Sequence, residues 1–176
     1  MISEKIEILI PEVKIQSRVR ELATRINSDY AGKELTVICV LRGSFVFMSD
    51  LVRFIDVPLS CEFLGLSSYG NEKTSSGQVK VTLDLNDSIE GKHVLVIEDI
   101  IDTGTTLEFL RQNLASRKPA SIKVATFLLK PEKLKVPVQL DYVGFEVANE
   151  FVIGYGLDHA EKFRGLPYIG FMKNEH

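Results

Sequence analysis

Val94-Leu95-Val96-Ile97-Glu98-Asp99-Ile100-Ile101-Asp102-Thr103-Gly104-Thr105-Thr106 is the stretch that decides how this chain folds. Four aliphatic residues lead into two acids, then a third acid, then hydroxyls clustered around one glycine. The apolar run predicts a strand buried on both faces, as in a parallel sheet. The hydroxyl-glycine cluster predicts a turn opening a helix, where backbone N–H groups without helical partners can hold an anion. Gly104 lets the backbone approach that anion closely. Thr and Asp also cap helices well, but capping does not account for acids at the end of a buried strand. Carboxylates beside a phosphate cradle repel the phosphate, so the pairing suits a ligand that brings hydroxyls and a metal ion too. The Gly-Lys-Ser/Thr ending of a P-loop is missing, and no Gly-x-Gly-x-x-Gly follows a strand.

Outward from this motif, strand and helix patterns alternate. Val13, Ile15, Val19, Leu22, Ala23 and Ile26 recur mostly at helical spacing after Pro11, and Asp29-Tyr30-Ala31-Gly32 ends that helix. Leu35 to Leu41 reads as a buried strand, Arg42-Gly43-Ser44 as a turn, Phe45 to Phe54 as a second helix, and Pro58 to Leu66 as a strand. Ser67 to Lys80 is rich in Gly, Ser, Thr and Asn and predicts a mobile flap that could include a short hairpin. Leu107, Leu110 and Leu114 give one face of a helix ended by Arg117-Lys118-Pro119. Ile122 to Leu129, Tyr142 to Val147 and Phe151 to Tyr155 are further strand candidates. The alternation predicts an α/β fold with ligand groups on loops at the carboxyl ends of the strands.

The 176 residues fit one domain, and a 45% hydrophobic fraction can supply its core. A formal charge of −3 provides no footprint for nucleic-acid binding. Cys39 and Cys61 stand among apolar residues and read as reduced core thiols. Met1-Ile2-Ser3-Glu4-Lys5 lacks a signal-peptide pattern, and no apolar run approaches the ~20 residues that span a bilayer. The expectation is a cytoplasmic protein with neither membrane nor nucleic-acid partner. His93, His159 and His176 show no metal-ligand spacing. On residues alone, Arg42-Gly43 reads as a strand-ending turn with a surface arginine, Lys130 as a solvated lysine, and Phe151 as a core aromatic.

Aliphatic residues, two acids, two aliphatic residues and Asp-Thr-Gly-x-Thr together resemble the signature of the type I phosphoribosyltransferases. Val40-Leu41-Arg42-Gly43-Ser44-Phe45, Ser67-Ser68-Tyr69-Gly70, Leu129-Lys130, Val143-Gly144-Phe145 and Phe151 through Phe163-Arg164 are similar, in order, to the hypoxanthine-guanine phosphoribosyltransferases. The likeness covers nearly the whole chain, and Arg42 resembles the shorter bacterial form. It implies the type I phosphoribosyltransferase fold over residues 1–176: a mainly parallel sheet flanked by helices, a flap, and a small hood built from the N-terminal and C-terminal segments.

The resemblance also implies purine salvage, with the phosphoribosyl group of phosphoribosyl pyrophosphate (PRPP) passing to hypoxanthine or guanine to give IMP or GMP and pyrophosphate. By that likeness Glu98 and Asp99 lie by the ribose hydroxyls, and Asp102, Thr103, Gly104, Thr105 and Thr106 form the 5′-phosphate loop. Leu41, Arg42, Gly43, Ser68, Tyr69 and Arg164 face pyrophosphate, with a cis peptide between Leu41 and Arg42. Lys130, Phe151, Val152 and Asp158 form the purine site. Mg²⁺ is the implied cofactor, with Glu98 and Asp99 as metal residues and Asp158 binding a second ion, and Asp102 is the implied general base. Family members are homodimers or homotetramers. Two other readings stand beside this one: a regulator that binds PRPP or nucleotides on the same fold, and a transferase for another base such as xanthine. The mild acidity, together with Asp102 and Lys130, weighs against the regulator.

Overall fold

A computed structural model describes residues 6–68 and 79–172, among which nine strands and three helices form. The long apolar run becomes the middle of the main sheet. β2 (Leu35–Leu41) and β5 (His93–Ile101) lie side by side and parallel, with Leu35, Val37, Ile38, Val94, Leu95, Val96 and Ile97 fully buried. β3 (Leu59–Ser68) pairs parallel with the far edge of β2, and β4 (Val79–Leu83) returns antiparallel along its end. On the other side, β6 (Ser121–Leu129) pairs parallel with β5, and β7 (Tyr142–Glu146) parallel with β6. The main sheet therefore runs β4-β3-β2-β5-β6-β7.

Helices cover both faces. α1 (Glu12–Asp29) buries Ile15, Val19, Leu22, Ala23 and Ile26 in one core, joined by Phe47, Met48 and Leu51 of α2 (Phe45–Val52). α3 (Thr105–Ala115) sends Leu107, Leu110 and Leu114 into a second core on the opposite face, against Ile38, Val40, Val94 and Val96. The chain thus leaves β2 along one face and β5 along the other. Between two strands that diverge in this way the loops separate and leave a crevice, the place where open α/β sheets bind ligands.

A second sheet, β1-β9-β8, is built from β1 (Ile6–Ile10), β8 (Val152–Ile153) and β9 (Ile169–Met172), so segments from near both ends of the described chain meet there. β1 and β9 escape the sequence patterns because each is too short to show a period.

Several expectations shift. β5 does not stop at the acids but carries Glu98 and Asp99 within its last turns of pleat. α2 ends at Val52 instead of Phe54, and the strand expected over Phe151 to Tyr155 shrinks to β8 because Gly154 and Gly156, at φ +97° and +99°, turn the chain. Pro11 caps α1 instead of beginning it, and Val13 is 74% exposed on the helix's outer side. Cys39 is buried, whereas Cys61 is exposed: along β3 it alternates with buried Glu62 and Leu64, so it lies on the opposite, open face with Phe63. Both thiols are free. The expected flap lies largely outside the described residues, although its flanks, β3 and β4, form the antiparallel arms of a hairpin. Among the described residues no helix is long and apolar enough to cross a membrane.

Leu110 is 1% exposed in the α3 core. Leu110→Ala should destabilise the fold by about 2–5 kcal/mol in urea unfolding; a loss below about 1 kcal/mol would mean the site collapses around the gap.

Candidate active site

The carboxyl ends of β2 and β5 and the turns that follow them line a cleft of about 280 Å³. Leu41, Arg42, Gly43, Glu98, Asp99, Asp102, Thr103, Gly104 and Thr106 all border it, joined by Ser67 and Val79 from the hairpin arms. The Leu41–Arg42 peptide bond is cis. The turn after β2 is tied down from below: Ser44, fully buried, donates its Oγ hydrogen to the Val40 carbonyl at 2.6 Å. Gly43 is obligatory, since a Cβ there would come within 1.5 Å of Asp99 Oδ2. The Asp99 carboxylate thus rests directly on the backbone of the neighbouring turn.

After β5 the chain enters α3 through Gly104 at φ +84°, with no side chain capping the helix. The opening N–H groups of a helix have no partners within it, and here Thr103, Gly104 and Thr106 at the start of α3 border the cleft. Thr103 and Thr105 share a hydroxyl hydrogen bond at 2.8 Å; Thr105 itself lies outside the cleft lining. Val136 and Val138 press on Gly104 from behind, so a Cβ there would meet Val138 at 2.7 Å.

A second cleft of about 250 Å³ opens on the far side of Asp102. Asp102, Lys130, Phe151, Val152 and Asp158 line it, with Ile100, Lys133, Asn149 and Leu157. Lys130 is 6% exposed, and burial lowers the pKa of its ammonium, with a smaller push from Lys133. Phe151 is not a core residue. It is 60% exposed and takes the ring of His159 edge-on at a centroid distance of 5.3 Å. Asp102 and Ile100 border both clefts, so the two are one continuous site with Asp102 at its waist.

Arg164 borders neither cleft. It reaches the site through Asp158, paired at 2.8 Å, and through the Gly156 carbonyl, to which it donates at 2.8 Å. Gly156 in turn abuts the Gly43 carbonyl, where a Cβ would intrude to 2.1 Å. Arg42 extends outward to Glu161 at 3.1 Å. Ser68 closes β3, and Tyr69 falls outside the described residues. Lys133, Asn149, Gly156 and Glu161 were not singled out in the sequence. The proline-led Lys130-Pro131-Glu132-Lys133 turn and the paired glycines at 154 and 156 were the available signals.

Electrostatics set the acids apart. Glu98 is 6% exposed, and its Oε1 has no hydrogen-bond partner among the described residues. Burial, then the charge of Asp99, pushes its carboxyl well above the usual 4.5. Burial also raises Asp99, against the opposing pull of the Ile100 N–H and Arg164. Oxygen donors of this kind suit Mg²⁺, which protein sites hold with one or two carboxylates plus substrate oxygens. Among the described residues no three His, Cys, Asp or Glu converge enough to hold a metal alone.

The comparisons with known proteins agree with this geometry. The family of the phosphoribosyl transferase domain matches residues 11–160. The hypoxanthine-guanine phosphoribosyltransferase of Bacillus subtilis is 48% identical over 167 residues, covering 95% of this chain and 93% of that protein. A crystal structure of a hypoxanthine-guanine phosphoribosyltransferase from Bacillus anthracis superposes with a TM-score of 0.92 at 46% identity, covering 96% of this chain and all of that one. The bifunctional TilS/HprT protein of Listeria monocytogenes is 49% identical over 169 residues, of which this chain spans 26% of the length.

A raised carboxyl pKa has a definite sign for stability. The unfolded chain gives up the Glu98 proton near 4.5 while the folded chain keeps it to higher pH, so the folded state loses stability relative to the unfolded one as pH rises above 4.5. Glu98→Gln should therefore gain stability over the unsubstituted protein between pH 5 and pH 8 in urea unfolding, by a margin that grows with pH; a margin that shrinks would contradict the assignment. From these matches, the chain belongs to the hypoxanthine-guanine phosphoribosyltransferase family of the phosphoribosyl transferases.

Proposed function

We propose that the protein salvages purines by transferring the 5-phosphoribosyl group of PRPP to hypoxanthine or guanine, giving IMP or GMP and pyrophosphate. The observation that carries this reading is the placement of Asp102, the acid shared by the phosphate-type cleft and the cleft of Lys130 and Phe151. The opening N–H groups of α3 and the hydroxyls of Thr103, Thr105 and Thr106 hold the 5′-phosphate. Glu98 and Asp99 accept hydrogen bonds from the ribose hydroxyls. Arg42, Arg164, Leu41 and the Gly43 backbone receive pyrophosphate, with Ser68 and Tyr69 assigned to it by resemblance. Glu98 and Asp99 would hold one Mg²⁺ together with substrate oxygens and Asp158 a second, and the crowded carboxylate pair at 98 and 99 fits a divalent cation. When bound, Mg²⁺ supplies charge neutralisation to the departing pyrophosphate.

The purine stacks on exposed Phe151, and the Val152 backbone reads its edge. The Lys130 ammonium donates to the O6 oxygen, a contact that an adenine amino group cannot accept; such a mismatch in a site built for an acceptor is strongly rejected. As the C1′–oxygen bond breaks, its electron pair leaves with pyrophosphate. Purine N9 forms the new bond to C1′, and the N7 proton passes to Asp102. We read the whole chain as one domain, with the β1-β9-β8 sheet as the hood over the purine cleft. Free thiols support a cytoplasmic setting. Phe45 and Phe63, each 44% exposed, support assembly into a homodimer or homotetramer.

A purine panel tests the function: with PRPP and Mg²⁺, hypoxanthine and guanine should be converted, and adenine and orotate should not. Conversion of xanthine alone, or of no base, would overturn it. Turnover should vanish in excess chelator and return with Mg²⁺; persistence in chelator contradicts the metal assignment. Asp102→Asn should lower kcat by roughly 10²–10⁴-fold with little change in KM, and near-normal turnover would remove Asp102 as the base.

A further inference from the structure

Lys133 has no part in the reading above, yet it is placed more firmly than an ordinary surface lysine. Two backbone hydrogen bonds bracket Asp102: the Lys130 N–H donates to the Ile101 carbonyl at 2.9 Å, and the Lys135 N–H donates to the Thr103 carbonyl at 3.0 Å. The segment from Lys130 to Lys135 is therefore stitched alongside Ile101-Asp102-Thr103. Between the two stitches the chain makes a tight 3-10 turn over Pro131–Lys133, closed by the Lys133 N–H on the Lys130 carbonyl at 3.1 Å. In such a turn residues three apart lie on the same side, which brings Lys130 and Lys133 to the same cleft. Val136 and Val138 continue the segment against Gly104.

The Lys133 ammonium stands 3.4 Å from Asp102 Oδ2, while Oδ1 is buried and has no hydrogen-bond partner among the described residues. The two side chains are 35% and 44% exposed. A pair that open to water contributes little to folding, so its value lies in what it does to the carboxylate.

We propose that Lys133 is a positioning residue for the transfer reaction: by holding Oδ2 it fixes the orientation of the Asp102 carboxylate, the group that accepts the purine N7 proton. This inference rests on the function proposed above. Lys130 meets the purine oxygen, Lys133 meets the base, and a single short turn sets the spacing between them.

Three variants measured with hypoxanthine test it. Lys133→Met should lower kcat roughly ten- to a hundredfold, with KM for PRPP within about twofold of the unsubstituted value. Lys133→Arg, which keeps a cation, should restore most of the rate. Added to Asp102→Asn, Lys133→Met should have almost no further effect, because the group it positions is gone. A normal rate in Lys133→Met overturns the inference, as does full additivity with Asp102→Asn. So does failure of Lys133→Arg to recover while thermal melting stays unchanged. The unsubstituted protein separates the two levels of argument. If it converts neither purine, the proposed function falls and takes this role with it; if it converts them while Lys133→Met runs at the normal rate, the role of Lys133 alone falls.

Discussion

A buried carboxylate beside a half-buried one is the constraint around which this molecule is arranged. Glu98 and Asp99 lie inside the end of a central strand, and burial raises the pKa of each. Such a pair is unfavourable on its own. It persists because the surrounding backbone fixes it: the turn after β2 has only a glycine where Asp99 arrives, and that turn is in turn pressed by Gly156. The fold thus holds two crowded acids at the border of an open cleft.

The sheet topology explains why the partners of those acids converge. The crossovers from β2 and β5 depart over opposite faces, so the loops that follow these strands diverge and frame one crevice. The next strand, β6, ends at Leu129, one residue before Lys130, and lies parallel to β5, with Ile101 opposite Leu129. That register delivers Lys130 beside Asp102 without any long-range search by side chains. The second sheet then brings Val152 across the opening. The phosphate-side cleft is assembled from the ends of β2 and β5, and the second cleft adds loop residues such as Phe151 and Asp158.

The parts of the fold legible in the sequence were those with dense local signals. The uninterrupted run at 35–41 marks β2 to the residue, and Leu107, Leu110 and Leu114 mark α3 because two successive helical spacings join them. Ile6–Ile10 and Ile169–Met172 carry no such repeat, and their identity as strands comes from pairing with each other across almost the full length of the chain. The phosphate-type turn was legible because its chemistry is contiguous. Phe151 and Lys130 were not legible from residue patterns, which favoured a core aromatic and a solvated lysine; only resemblance reversed that reading, and the structure places the ring in the open and buries the lysine. Lys133 stayed hidden because its meaning depends on backbone stitches between segments about thirty residues apart in sequence.

The most direct measurement is a crystal structure of the protein with IMP. The nucleotide phosphate should lie within hydrogen-bond reach of the backbone N–H groups of residues 103–106, with the ribose hydroxyls toward Glu98 and Asp99 and the base between Phe151 and Lys130. A nucleotide seated elsewhere, with the turn at Gly104 holding no phosphate, would contradict the assignment of this cleft.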